Sequence, residues 1–323
     1  MISLPDFKEK QMLIVRAEWG ARARLSFQNE NIVFSKDDVV VNRVSCHRVF
    51  AVFVVGDISI TTRVMSNAAQ YGVSLFFLKN NFDVYGSLVA HADGNYLLRM
   101  KQYALSPERE LAISKAIVSN KAINQSALLR SRGKGEGFAD ALDERIKNIQ
   151  DNQELLGVEG ELSRRFFGEY FSEIGWRRRM PRVKPDVPNF LLDMGYTFLF
   201  NFTDALLRLH GFDTYKGVYH KLFFQRKSLT CDIVEPFRCL VDRQLLKAYN
   251  LRQISEKDFG VLDSKVVLPF DKNQKYTLIF SEMIMEHKED IFAFVHGFYR
   301  HVMDSKNDMP IFEVDGKITK KIC

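Results

Sequence analysis

One stretch of this 323-residue chain limits its fold more than any other. From Pro188-Asn189 to about His210 the residues are apolar almost all round a helix, and Gly211 supplies the stop. A helix with no polar face has to be wrapped by other elements, so this segment is expected to be the buried central helix of a helical domain. Asp193, Asn201 and Asp204 interrupt its apolar run, and the opening residues Met1 to Lys10 lack the apolar core of a signal peptide. Neither a membrane span nor export is expected, and four scattered cysteines (Cys46, Cys231, Cys239, Cys323) without a Cys-x-x-Cys pair fit reduced thiols in a cytoplasm.

The length allows about two domains. Short runs rich in Val, Ile and Phe (Met12 to Ala17, Ala23 to Phe27, Asn31 to Ser35, Val39 to Val44, Val49 to Val55) predict strands, with a hairpin turn at Asn29-Glu30. A helix from Thr61 to Tyr71 follows, then strands Val73 to Leu78 and Val84 to Val89. From Asn95 helical spacing takes over in Tyr96 to Ala104, Glu108 to Asn120 and Ala122 to Arg130, and a last helix is expected from Ser281 to Asp304. The expected class is therefore α+β: a small β-rich domain over residues 1–90 and a larger all-helical domain over 91–323, linked near 87–94.

Three acidic or histidine positions disturb the pattern of the second part. Leu155, Leu162, Phe166 and Tyr170 recur at helical spacing, and Glu159 falls in their stripe, so a carboxylate is aimed at the core. Such a group needs a counter-charge, a hydrogen-bond network or a metal, and a pairing with Arg238 is one bland solution. Asp232 and Glu235 are three apart and share a helical face, although an acidic N-cap with Glu three residues on also approximates a capping box. His220 ends the turn-rich segment just before them, and could be a structural histidine. Carboxylates with one imidazole suit Mg²⁺ or Mn²⁺, with a lean to Mn²⁺ because imidazole favours transition metals.

The order Gly157-x-Glu159-Gly160, Pro185-Asp186-x-x-Asn189, Gly211-Phe212-Asp213-x-x-x-Gly217-x-x-His220 and Asp232-x-x-Glu235-Pro236-Phe237-Arg238 resembles the integrase subunit of the CRISPR adaptation machinery. Weaker likeness extends to Gly72, Gly86, Arg99 and Gln102, while Thr214 stands where proline is common and Asp193 where an uncharged polar residue is. The resemblance implies that Glu159, His220 and Glu235 hold the cation and do the catalysis, with Asp232 as a supporting acid. It implies an enzyme whose DNA fragment attacks a phosphodiester of a repeat array through its 3′-hydroxyl. It also implies double-stranded DNA, a homodimer and a small partner subunit as partners.

Trp176 to Lys184 carries Arg177, Arg178, Arg179, Arg182 and Lys184, which is either a solvated loop or a phosphate-backbone site; Arg238 joins it as a DNA-binding candidate. The net charge of +6 and pI near 9.0 favour a polyanion only weakly. The glycine-rich run Arg130 to Gly137 lacks the Gly-Lys-Ser/Thr ending of a P-loop and is expected to be a surface loop. His296 and His301 are five apart, which removes a shared-face zinc clamp and leaves solvated or DNA-facing histidines. The basic tail Lys317 to Cys323 is expected to be loose. Two rivals remain: a catalytically silent DNA-binding scaffold and a general structure-specific nuclease.

Overall fold

The computed structural model describes residues 4–17, 20–90, 95–135, 137–138, 145–176, 178–220 and 223–315; Arg177, the expected linker residues 91–94 and the basic tail lie outside them. After a short helix α1 (Leu4–Lys8), strands β1 (Gln11–Arg16), β2 (Ala23–Gln28), β3 (Asn31–Lys36), β4 (Val39–Ser45), β5 (Val49–Val55), β6 (Ser59–Ile60), β7 (Ser74–Leu78) and β8 (Val84–Leu88) form two four-stranded sheets. One has the order β1-β5-β7-β8, with only β8 antiparallel to its neighbour, and the other the order β4-β3-β2-β6. Asn29 and Glu30 turn the β2-β3 hairpin with φ of 46° and 58°, the two left-handed residues that a tight hairpin requires. Helix α2 (Thr62–Gln70) is capped by Thr61, whose side chain accepts from the Val64 N–H.

Every residue of β5 is buried, because the strand is sandwiched between two cores. The pairing of β1 with β5 steps from Gln11–Val49 to Met12–Ala51, and this bulge sets Val49, Val52 and Val54 toward the inter-sheet core. Phe50, Phe53 and Val55 face the helices instead.

The helices are α3 (Tyr96–Tyr103), α4 (Pro107–Arg130), α5 (Asn152–Tyr170), α6 (Val187–His210), α7 (Ser228–Val234), α8 (Arg238–Asn250), α9 (Asn273–Glu286) and α10 (Lys288–Met303). Helix α6 is the central element, started by Asp186, whose carboxylate accepts from Asn189 N at 2.7 Å, and ended by Gly211 at φ 97°. Phe198 meets Phe53 and Phe82, and Phe202 meets Phe7 and Phe50, so the β-rich part and the helical part share one aromatic core across the change near residue 90. None of the helices is long and apolar enough to cross a membrane among the described residues.

Four expectations need correction. The second part is not all-helical, since β9 (Gly260–Leu262) and β10 (Lys265–Val267) form an antiparallel hairpin. Helix α4 is continuous where two helices were expected, because the polar Asn120, Lys121 and Asn124 that break its apolar spacing are buried with partners. The last expected helix is two, separated at His287. His296 and His301 are half-buried rather than freely solvated: His296 packs against His210 and Tyr299, and His301 Nδ1 lies 2.7 Å from Asn307 O.

His210 is fully buried, with Nδ1 2.8 Å from Leu206 O and no partner for Nε2 among the described residues. Burial, aided by His296, pulls its pKa down to about 4 against the tendency of the Leu206 carbonyl to raise it. The folded chain therefore binds fewer protons here than the unfolded chain between pH 4 and 6.5, and the stability present above pH 6.5 drains away as pH falls toward 4. Replacing His210 with Phe should flatten the dependence of unfolding free energy on pH over that window by up to about 1.4 kcal/mol per unit, read by urea titrations at several pH values. An unchanged slope would contradict this assignment.

Candidate active site

Helices α4 and α5 and the turn that follows α7 meet at one point. Lys121, on α4, contacts Glu159 Oε1 of α5 and lies 2.7 Å from Glu235 Oε2, a contact of charge rather than an aligned hydrogen bond. Its side chain is 9% exposed, Glu235 5% and Glu159 20%, so two nearly dry carboxylates share one ammonium. The counter-charge that the position of Glu159 demands is thus Lys121; Arg238 pairs instead with Glu235 through Nε to Oε1 at 3.1 Å. Burial alone would raise the Glu235 carboxyl, yet Arg238 and Lys121 beside it pull its pKa down to about 2. The Lys121 ammonium, which burial would lower, is held above its usual range by Glu235 and Glu159.

Asp232 is fully buried inside α7, not at an N-cap, and its carboxylate organises the histidine loop. It accepts from the backbone N–H groups of Val218 (2.7 Å), Tyr219 (3.1 Å) and His220 (2.9 Å), and Oδ1 lies 2.7 Å from His220 Nδ1. A carboxylate already collecting three N–H donors accepts a fourth from the imidazole, which puts the proton on Nδ1 and leaves Nε2 with a free lone pair. The glycine of the Gly-x-x-His motif has a steric cause: a Cβ on Gly217 would sit 2.7 Å from Asp232 Oδ2 and 2.8 Å from the Ser228 backbone. Gln102 fastens the same loop by accepting from Asp213 N and donating to Asp213 O and Lys216 O, while Arg99 donates to Gly211 O at 3.1 Å. Asn152, at the start of α5, donates to Val218 O.

The basic stretch divides. Arg179 pairs with Asp193, the residue that departs from the family pattern, and lies over the Tyr196 ring that Arg238 also covers at 4.9 Å. Lys184 is buried, 2.9 Å from both Asp83 Oδ1 and Asn81 O, and Trp176 packs on Phe167 and Phe171. Arg178 and Arg182 remain exposed. In the glycine-rich run, Arg132 and Lys134 are tied to Glu173.

Among the described residues no three carboxylate, imidazole or thiol groups lie close enough to hold a metal ion. The donor set nevertheless fits a cation, because Lys121 already stands as one between Glu159 and Glu235. The buried Tyr219 hydroxyl has no partner among the described residues, and burial together with the charges of Glu159, Glu235 and Asp232 raises its pKa. Lys121 was not singled out from sequence; its signal was a charge within an otherwise buried helical face. Lys121→Met should lower stability by about 3–5 kcal/mol, the cost of stripping one partner from a buried pair, and Glu159→Gln added to it should recover part of that loss. A double-mutant cycle by urea denaturation checks this, and strictly additive effects would contradict it.

The description "CRISPR associated protein Cas1" belongs to the family model that matches residues 19–282. A curated relative from Rhodospirillum rubrum, named a CRISPR-associated endonuclease Cas1, is 32% identical over 275 residues, 77% of this chain and 79% of that one. Among solved structures, a casposase bound to an integration product superposes with TM-score 0.81 at 19% identity, covering 95% of each chain. A Cas6-RT-Cas1–Cas2 complex superposes with TM-score 0.77 at 22% identity, this chain covering 36% of that longer one and 96% of itself being matched. A family match over most of the chain, together with a relative above 30% identity, gives the assignment: the chain belongs to the CRISPR associated protein Cas1 family.

Proposed function

We propose that this Cas1 protein is a divalent-metal-dependent DNA integrase and endonuclease that joins short duplex fragments into a CRISPR repeat array, the fragment's 3′-hydroxyl attacking a phosphodiester. The observation that supports this most is the convergence of Glu159 and Glu235 on one buried cationic position, with His220, held by Asp232, near enough to act on the charge of Glu235. Mg²⁺ or Mn²⁺ held by Glu159, His220 Nε2 and Glu235 would polarise the attacked phosphate and stabilise the leaving oxygen.

The protein's own groups supply the rest. Asp232 fixes the imidazole orientation and keeps Nδ1 protonated. Arg238, braced on Tyr196, holds Glu235 ionised and in place. Lys121, once released from its bridging position, is a buried ammonium next to the reacting phosphate, where a fixed positive charge favours the developing negative charge. Gly157 and Gly160 flank Glu159 on the exposed side of α5, where an added Cβ would meet nothing, so the helix surface there is bare enough for a DNA backbone to approach. The exposed Arg178 and Arg182 are the phosphate contacts we assign from the basic stretch, whereas Arg179 and Lys184 serve the fold. The Cas1–Cas2 complex among the similar structures supports a small partner subunit, which we place with a homodimer of this chain acting in the cytoplasm.

Glu159→Gln, His220→Ala and Glu235→Gln should each reduce strand transfer of a labelled duplex into a repeat-bearing plasmid to the level seen with chelator. Asp232→Asn, acting through His220, should cost about 10- to 100-fold. Full transfer by the Glu159 and Glu235 variants would contradict this site assignment, whereas DNA binding without transfer by the wild type would favour the scaffold reading and transfer-free cutting of branched DNA the nuclease reading. Arg178→Ala with Arg182→Ala should weaken binding to any duplex and reduce the slope of log affinity against log salt by about 0.9 for each lost phosphate contact. An unchanged slope would make the stretch a solvated loop.

A further inference from the structure

Phenylalanine is used almost wholly for the interior here. All 27 phenylalanines fall within the described residues, and Phe223 and Phe224 are the only two that are exposed, at 74% and 85%. Leaving two adjacent rings in water forgoes burial that would favour each by about 1.5–3 kcal/mol, so their position calls for an occupant. They sit on a tight turn, closed by Arg226 N donating to Phe223 O at 3.0 Å, with Gln225 in the left-handed region at φ 58°. The turn is anchored beneath by Lys227, 2.7 Å from the buried Asp204, which also accepts from Thr230 at 3.1 Å.

The location of this turn narrows the occupant. Phe223 follows His220 by three residues and Phe224 by four, so their Cα atoms lie no more than about 11–14 Å from that of His220. The other end of the turn enters α7, whose Asp232 holds the His220 ring. Arg226, exposed in the same turn, adds a positive charge beside the rings. Two protruding aromatic faces with a neighbouring guanidinium match a nucleic-acid strand, bases on the rings and phosphate on the arginine. A protein partner would need a buried surface on the order of 1,000 Å² or more, and a two-residue convex tip supplies only a small part of that.

We propose that Phe223 and Phe224 stack on nucleobases of the DNA held at the Glu159, His220 and Glu235 site, entering the base stack within about three or four base steps of the attacked phosphodiester. The inference rests on the integrase reading. Because every base offers a stacking face, the contact is tolerant of sequence and favours steps that unstack easily, such as pyrimidine–purine steps. Opening the stack there bends the target and turns the phosphodiester toward the site.

The test uses the full-length protein with Mn²⁺ and duplexes carrying 2-aminopurine one to four steps from the joining position. Wild-type protein should raise the probe's fluorescence on binding as its base unstacks, and Phe223→Ala with Phe224→Ala should return it to the free-duplex level. The double variant should lose roughly 10- to 100-fold in strand transfer on matched duplex and regain most of it when mismatches already open those steps. Its thermal midpoint should match wild type, since both rings are largely exposed. Equal fluorescence and equal transfer in wild type and variant would overturn the inference, as would an unchanged probe signal accompanied by a shift to a smaller species in sedimentation, which would give the rings to a second copy of this chain. Absence of transfer by wild type would count against the integrase reading, while the fluorescence comparison still reports on stacking.

Discussion

Two carboxylates cannot be brought together away from water unless a positive charge lies between them, and Lys121 provides that charge for Glu159 and Glu235. Much of the helical part follows from satisfying this requirement. Helix α4 has to carry a lysine through a buried face, and the flanking Asn120 and Asn124 use the same face to hold the segment at Phe312 to Val314 and the Pro236 carbonyl. Those asparagines fix the height of α4 against the Glu235 turn, and so fix where the ammonium sits. Arg238 completes the neutralisation from the other side, and Tyr196 links it to Arg179 and to the buried Asp242.

A second buried carboxylate does different work. Among the described residues Asp232 has four donors and no lysine or arginine ion pair, three of the donors being consecutive backbone amides, so it acts as a template on which the 218–220 segment is wound. Gly217 allows the approach, and Gln102 and Arg99 clamp the loop from α3. The result is an imidazole whose orientation is set before any ligand arrives. Pre-set donors near a cationic position are what phosphoryl transfer requires, because its chemistry depends mainly on placing charge.

The sequence disclosed the parts with strong local signals. The hairpin turn at Asn29-Glu30, the helix that starts at Thr61, the all-apolar α6 and its Gly211 stop are each decided by neighbours in the chain, and they appear where the pattern puts them. Charge-bearing positions were legible as oddities but not as pairs: the stripe containing Glu159 announced a buried acid, while its partner lay 38 residues away in a helix whose buried polar face broke the expected periodicity. The same blindness to distant partners made the basic stretch look uniform, although Asp193 and Asp83 take up Arg179 and Lys184. The β9-β10 hairpin was missed because three-residue strands carry too little alternation to register.

On the proposed reading Glu159, His220 and Glu235 would hold one cation, which would take the position that Lys121 occupies between the two carboxylates. The most direct measurement is anomalous diffraction from crystals soaked in Mn²⁺ and collected beside crystals soaked in chelator. The account predicts a single peak about 2.1 Å from oxygens of Glu159 and Glu235 and from His220 Nε2, with the Lys121 ammonium displaced, and the lysine bridging the two carboxylates in chelator. A peak elsewhere, or Lys121 still bridging Glu159 and Glu235 at saturating Mn²⁺, would contradict it.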